Sequence, residues 1–151
     1  MAQTTNAMSW ANCKIELSDD DGGSWIDISG FSNSLSVDGG ERQVGEFFTC
    51  DGDTPIVTYG KRNMLTITIQ VVYTEGAADE PYIMAATADE GNNPLLVKWS
   101  PKGGSAGNFE FESSDAYVTS PVYPQGAADS PDAIALEISL SCGGITRATV
   151  T

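Results

Sequence analysis

The densest set of side chains that could do chemistry lies in the acidic turn at residues 18–25. Carboxylate oxygens are the ligands that calcium prefers, so the three aspartates at 19–21 form a candidate cation site. Their spacing differs from that of an EF-hand loop. The alternative role is structural: Asp20 accepts backbone N–H groups across the turn, Gly22 supplies a positive φ angle, and Trp25 packs beneath the hairpin. We expect the structural role and keep calcium as the alternative.

The same turn matches the Asp-box pattern Ser-x-Asp-x-Gly-x-Thr-Trp, with Ser24 at the threonine position. This pattern repeats in sialidase-like propellers, whereas it occurs once here, so it does not indicate a glycosidase. Glu110 and Glu112 are a further pair of carboxylates of the kind that glycosidases use. They alternate with Phe109 and Phe111, which indicates the solvated face of a strand rather than an active site.

Composition disfavours other catalytic and metal sites. The chain of 151 residues has no histidine, which removes the most common general base and metal ligand. Its cysteines, Cys13, Cys50 and Cys142, do not have the spacing of zinc ligands. Cys13 and Cys142 fall on the apolar faces of predicted strands, so we expect buried free thiols and a reducing compartment. We predict that the protein is not an enzyme and needs no cofactor.

The formal net charge is −14, from 21 acidic and 7 basic residues. Binding to nucleic-acid phosphates or to anionic membranes requires clustered lysine and arginine, so neither partner is expected. The charge is compatible with repelling a polyanion, and the alternative is that it only keeps the protein soluble. We also expect no secretion signal and no membrane-spanning segment, because no suitable apolar run occurs.

Two segments carry the strongest structural pattern. Residues 64–73 alternate between an apolar face and a polar face, which is typical of a half-buried strand. Residues 133–142 alternate in the same way. Both strands need an apolar partner layer, which predicts one core between β layers.

Shorter elements are predicted around these two strands. Residues 11–17 and 26–28 flank the acidic turn as a hairpin, and residues 77–90 form the helical candidate, with Asp79 as its N-cap. Further strands are predicted at 31–37, 95–99, 109–112, 115–123 (interrupted by Pro121) and 146–151. In the first of these, Phe31, Leu35 and Val37 are expected to face inward. Counting gives about eight to ten strands and one short helix, hence an all-β, mostly antiparallel sandwich or barrel forming a single domain, 1–151.

Two segments lie outside this pattern. Residues 1–9 are small and polar and predict a flexible N-terminal arm that orders against a partner. Residues 41–62 predict a long mid-chain hairpin loop with its tip near Asp51. Apolar residues on a long loop indicate a contact surface. The alternative is that Phe47 and Phe48 fold back onto their own core.

The order of these pieces resembles the tail tube (major tail) proteins of long-tailed bacteriophages. The matching features run in order from about residue 11 to the end of the second long strand. They are the hairpin at 20–30, the long loop ending at 54–61, the strand at 65–73 with its following helix, and the segments 97–104, 109–111 and 133–141.

The resemblance implies a β-sandwich that assembles into hexameric rings, which stack into a hollow tube through which the genome passes. It implies that the long loop reaches the neighbouring ring and that the terminal arms bridge subunits. The other expected partners are tail proteins: tape measure, tail tip and terminator. The expected location is the virion tail, assembled in the host cytoplasm, and DNA would pass without specific binding.

The resemblance gives two sets of site residues. We expect Phe47, Phe48, Asp51 and Tyr59 to mediate contacts between subunits and rings. The polar face of the central strands carries no basic residue, and a lumen needs that character because lysine or arginine would trap DNA. The lumen-facing candidates are Thr66, Thr68, Gln70 and Glu137.

The alternative function is a non-enzymatic binding module, either a carbohydrate-binding sandwich or a capsid decoration protein. It would require an exposed aromatic platform built from Trp25, Trp99, Tyr117 and Tyr123, or a calcium site at the acidic turn. Trp99 shares the parity of the apolar positions at 95 and 97, which predicts that it lies in the core.

Overall fold

The computed structural model describes residues 2–76, 80–120 and 123–151. Over these residues the chain forms β-strands and one α-helix, α1, at Pro81–Gly91. The strands are β1 Lys14–Ser18, β2 Ile26–Asp27, β3 Ser32–Gly39, β4 Arg42–Phe47, β5 Ile56–Arg62, β6 Leu65–Val72, β7 Leu96–Ser100, β8 Phe109–Ser113, β9 Ala116–Val118, β10 Ala135–Cys142 and β11 Ile145–Thr149.

The strands form two larger antiparallel sheets and one separate hairpin. The first sheet has the order β11-β8-β7-β1-β2, and the second has the order β3-β6-β10-β9. Neither sheet closes on itself, so the fold is a sandwich rather than a barrel. Strands β4 and β5 pair only with each other. The predicted all-β, mostly antiparallel fold is confirmed.

One apolar core lies between the two larger sheets. The first sheet contributes Ile15, Val97 and Trp99, and the second contributes Ile69 and Ile138, all of them buried. The burial of Trp99 confirms the prediction from its parity. Because apolar burial is the main favourable term in folding, this shared core holds the two layers together.

The two long predicted strands are neighbours at the centre of the second sheet. β6 pairs with β10 along its whole length, with Ile69 opposite Ile138 and Gln70 opposite Glu137. Both isoleucines are fully buried. The alternation read from the sequence therefore separates the core face of this sheet from its polar face.

Helix α1 covers part of this core. It packs on β9 and β10 and buries Met84, Ala85 and Ala88. It ends where Asn92 adopts a left-handed conformation, and the N–H of Asn92 donates to the carbonyl of Asp89 at 3.2 Å. The candidate cap Asp79 lies outside the described residues. Glu80 occupies the N-cap position, and Pro81 follows as the first helical residue.

The predicted strand at 115–123 and the predicted burial of Val37 differ from the structure. The strand predicted at 115–123 is limited to β9, and Pro121 lies outside the described residues. Val37 of β3, which the alternation places inside, is 38% exposed. β3 is an outer strand of its sheet, so its inward face is covered by fewer neighbours than that of β6.

The strand registers define two ends of the sandwich. Leu65 lies opposite both Gly39 and Cys142, so the β4–β5 hairpin leaves the sandwich at this end, the hairpin end. Val72 and Ala135 pair at the other end, the far end.

The first sheet is aligned with the second. Ala116, which pairs with Cys142 at the hairpin end, also bridges to Leu95, next to the start of β7. Lys14 pairs with Ser100, where β7 finishes at the far end. The loop 101–108 therefore lies at the far end of the sandwich, opposite the hairpin.

Candidate assembly surfaces

The β4–β5 hairpin extends as a separate two-stranded ribbon. Val44 pairs with Tyr59 and Phe47 with Ile56, and a bulge lies between Arg42 and Val44. Every residue of both strands is exposed. An isolated two-stranded ribbon is at best marginally stable in water, so this element requires a partner surface that the isolated chain does not supply.

The apolar side chains of the hairpin face solvent. Phe47 is 68% exposed, Phe48 is 60% exposed and Tyr59 is 70% exposed. Ile56, opposite Phe47, and Val57, on the same face as Tyr59, are also exposed, at 53% and 46%, so both faces of the ribbon carry apolar side chains. The two phenylalanines do not fold back onto the core of their own chain. A large exposed apolar patch marks an interaction site.

Charge is segregated along the hairpin. Its tip, residues 47–56, carries Asp51 and Asp53 and no lysine or arginine. Its base carries Arg42, Lys61 and Arg62. The Nη1 group of Arg62 donates to the carbonyl of Gly40 at 3.2 Å. The tip is therefore apolar and acidic, whereas the three cations of the hairpin all lie at its base.

Two glycines join the hairpin to β3. Gly39 and Gly40 have φ angles of +85° and +77°. A Cβ atom at Gly39 would clash with the carbonyl oxygen of Met64, so a larger residue there would displace the backbone that leads into β6. The N–H of Gly40 donates to the carbonyl of Met64 at 3.1 Å. These contacts fix the point from which the hairpin projects.

The lumen-facing candidates share one face of the second sheet. Thr66, Thr68 and Gln70 of β6 lie opposite Ser141, Ser139 and Glu137 of β10. On the other side, β3 places Asp38, Ser36 and Ser34 opposite the same three residues of β6. The four strands of this sheet contain no lysine or arginine. Its outer face is therefore hydroxyl-rich and weakly acidic.

The acidic turn is organised by one carboxylate. Oδ1 of Asp20 accepts hydrogen bonds from the Ser18 hydroxyl and the Ser24 N–H, each at 2.8 Å, and its Oδ2 accepts from the Ser24 hydroxyl at 2.7 Å. The bonds from Ser24 and Ser18 lower the pKa of Asp20 to about 2. Gly22 has a φ angle of +85°, which the turn requires.

Trp25 lies beside this turn and is half-buried. Nζ of Lys98 lies 4.1 Å from the centroid of its ring, a cation–π contact. Of the other aromatic side chains in the candidate platform, Trp99 lies in the core and is 7% exposed, whereas Tyr117 and Tyr123 are exposed. The four side chains therefore do not present one exposed platform. Within the described ranges, no group of three or more histidine, cysteine or acidic residues could hold a metal ion.

The three cysteines are free and lie in different environments. Cys142 is buried, Cys13 is half-buried and Cys50 is exposed at the hairpin tip. Burial raises the pKa of the thiols of Cys142 and Cys13. The expected burial therefore holds fully for Cys142 and in part for Cys13.

A groove at the far end was not identified from the sequence. It has a volume of about 340 Å³, and we call it the end groove. Its lining includes Met8, Pro101, Lys102, Phe109 and Phe111. Apart from Met8, the lining comes from residues 101–111, which the pairing of β7 with β8 folds into a hairpin. The one signal in the sequence is that Phe109 and Phe111 share a strand face.

The structure was compared with known proteins. No protein-family model matches the chain, and no curated protein matches it at a significant level. Among the described residues, no helix is long and apolar enough to cross a membrane.

Solved structures match the fold along nearly the whole chain. A chain of the sheath–tube complex of an extracellular contractile injection system (PVC), in its extended state, has a TM-score of 0.67 at 17% identity, covering 97% of this chain and 94% of that one. The tail of an empty gene transfer agent (GTA) particle, refined with C6 symmetry, gives a TM-score of 0.69 at 10% identity, covering 96% and 100%.

The SPP1 tail tube gives a TM-score of 0.70 at 16% identity, covering 95% of this chain and 80% of that one. At this level of identity the likeness concerns the fold, and the resemblance noted in the sequence is confirmed at that level. The chain has the fold shared by the tube proteins of phage tails and contractile injection systems.

Proposed function

We propose that this chain is a structural tail tube protein of a virion. Copies form hexameric rings, and the rings stack into a hollow tube through which DNA is ejected. The observation that carries the proposal is the match to tail and tube structures over 95% or more of the chain. The C6 symmetry of the gene transfer agent tail supports the hexameric ring.

The exposed hairpin supports ring stacking as the assembly contact. Its apolar side chains are exposed to solvent in the isolated chain, and contacts with neighbouring copies in a tube would bury them. In this proposal Phe47, Phe48 and Tyr59 pack against another copy, while Asp51 at the tip makes a polar contact. These residues hold the tube together and have no catalytic role.

The second sheet supports the lumen assignment. Its outer face, with Thr66, Thr68, Gln70 and Glu137, offers hydroxyl, amide and carboxylate groups and no cation. DNA phosphates would find no lysine or arginine there to bind. This chemistry favours a polyanion as the passing cargo, so the face would let DNA slide without specific binding.

The proposal extends to partners and location. Chains with this fold occur in the structures of the baseplate and the tube-terminating cap of the anti-feeding prophage (AFP) and of the sheath/tube terminator of PVC. We infer that this tube likewise joins terminator and tip proteins at its ends and encloses a tape measure. Assembly in the host cytoplasm would precede release in the virion.

Negative-stain electron microscopy across a concentration series, with sedimentation velocity on the same sample, tests the proposal. We expect hollow tubes or rings with six-fold symmetry. The matched control is the double variant Phe47→Ser/Phe48→Ser, which should remain a folded monomer. A wild-type monomer that binds a glycan or calcium and forms no tubes would overturn the proposal in favour of the binding module.

A further inference from the structure

Two walls of the end groove are fixed by contacts within the chain. The ring of Phe111 stacks on the core residue Trp99, with ring centroids 5.7 Å apart. The rim loop is tied to the end of the chain, because Gly107 N–H donates to the carbonyl of Val150 at 2.8 Å and Val150 N–H donates to that of Asn108 at 2.9 Å. A volume of about 340 Å³ lies within the range of binding pockets. The part of the groove formed by Phe111 and the loop 101–108 is therefore held in place before a partner binds.

Two cationic side chains lie beside the groove. Lys102 is exposed on its rim, and the guanidinium of Arg147 lies 5.1 Å from the ring centroid of Phe109. Over the residues that the structure describes, the ion pair within 4.0 Å is Lys14–Glu16, so neither Lys102 nor Arg147 is paired with a carboxylate. The groove thus combines an apolar floor with unneutralised positive charge, and a fitting partner is apolar and acidic.

The hairpin tip, residues 47–56, has this complementary chemistry. Phe47, Phe48 and Ile56 offer exposed apolar surface, and Asp51 and Asp53 offer carboxylates with no cation in the segment. The charge of the tip is opposite to that of the groove rim, and complementary charge fixes the register of an interface.

Tip and groove lie at opposite ends of the sandwich. The hairpin leaves beside Gly39 and Leu65, whereas the groove opens beside the loop that follows Ser100. Copies related by translation along this direction place the tip of one beside the groove of the next. Such a contact is head-to-tail and repeats from copy to copy.

We propose that the hairpin tip of one copy docks into the end groove of a copy in the next ring. This inference rests on the proposed tube function and names the surface that receives the hairpin. Phe47 or Phe48 fills the apolar groove, and Asp51 and Asp53 lie against Lys102 and Arg147.

Disulfide trapping tests the contact in assembled tubes. Cys50 is exposed at the tip, and Ala106 is an exposed residue next to the groove rim, so Ala106→Cys places a second thiol beside the docked tip. We expect mild oxidation of Ala106→Cys tubes to give a ladder of linked copies on a non-reducing gel. The ladder should vanish when Cys50→Ser is added.

Glu90→Cys is the matched control, because Glu90 is also exposed but lies at the C-terminal end of α1. Tubes of Ala106→Cys that cross-link no better than those of Glu90→Cys would overturn the docking while leaving the tube function intact. A wild-type chain that forms no tubes would overturn the function, and the docking would be lost with it.

A charge exchange tests the polar part of the contact. Lys102→Glu should raise the concentration needed for tube formation about threefold or more, because the glutamate then faces the carboxylates of the tip. Adding Asp51→Lys and Asp53→Lys to the same chain should restore assembly. Normal assembly of Lys102→Glu, or no restoration in the combined variant, would overturn the proposed pairing.

Discussion

Asp20 holds its turn through three hydrogen bonds from Ser18 and Ser24. These bonds are made to the ionised carboxylate, which is why its pKa falls from 3.8 to about 2. A lowered pKa means that folding favours the charged form. The contribution of Asp20 to stability is therefore present above pH 3.8 and is lost as the pH falls through about 2.

Comparison of the wild type with Asp20→Asn across pH checks this. We expect the wild type to have the larger free energy of unfolding at pH 7, with the difference shrinking as the pH approaches 2. Denaturant titrations at a series of pH values measure the difference. A difference between the two chains that does not change with pH would contradict the assignment.

Two isoleucines that are close in the sequence should contribute very different amounts to the free energy of unfolding, because only one of them is buried in the core. Ile138 is fully buried between the layers, whereas Ile134 is 39% exposed just before β10. Ile138→Ala removes buried methyl groups and leaves a cavity, so it should lower the free energy of unfolding by about 2–5 kcal/mol. Ile134→Ala is the control and should cost about 1 kcal/mol or less. Equal losses in denaturant unfolding would argue against the packing described.

At the scale of elements, the β4–β5 hairpin contributes little to the fold of the isolated chain. Its strands pair only with each other, and all their residues are exposed. An element with no buried contact adds little to stability but can add much to association. Folding and assembly should therefore respond differently to its removal.

Deletion of the tip tests that separation. Replacing residues 48–55 with Asn-Gly joins Phe47 and Ile56, which are paired in the hairpin, through a two-residue turn. We expect a folded monomer with an unchanged thermal midpoint and no tubes. Electron microscopy and thermal unfolding of the same sample check both points, and tubes formed by the deletion variant would refute the role of the hairpin.

The sequence allowed prediction of those elements that follow a simple period. β6 and β10 alternate strictly because one face is core and the other is not, so their inward residues could be assigned before the structure. Val37 was assigned to the core but is 38% exposed. Alternation in the sequence indicates which way a side chain points, but it does not show whether other residues pack over that side chain.

The end groove could not be predicted for a different reason. Met8 is far from Lys102 and Phe109 in the sequence and lies beside them only in the folded chain. A local sequence pattern does not show which distant residues become neighbours in the folded chain. The hairpin was easier to predict, since its apolar residues are contiguous in a segment rich in glycine and charge.

At the scale of the whole molecule, the distribution of charge matters more than its total. The net charge of −14 includes seven cationic residues, and none of them lies in the four strands of the second sheet. A polyanion moving along that face would meet weak repulsion and no fixed counter-charge. A passive conduit needs these properties.

Introduction of lysine tests the conduit. If the chain forms the proposed tube of a virion, Thr68→Lys/Gln70→Lys should slow or block DNA ejection, because each subunit would add two cations along the path of the phosphates. Thr146→Lys/Ala148→Lys adds the same charge at exposed positions of β11 in the other sheet and is the control. Time-resolved DNA release measures the effect, and normal ejection by the first variant would show that this face does not line the lumen.

The placement of the hairpin and the end groove at opposite ends of one sandwich has a consequence for growth. An array built by this contact always presents unfilled grooves at one extremity and unsatisfied hairpins at the other, so the two extremities require different capping surfaces. One cap must imitate a hairpin tip, and the other must imitate a groove. Every added ring presents the same docking surface as the ring before it. The docking contact alone therefore does not limit the number of rings, and another component must set the length of the array.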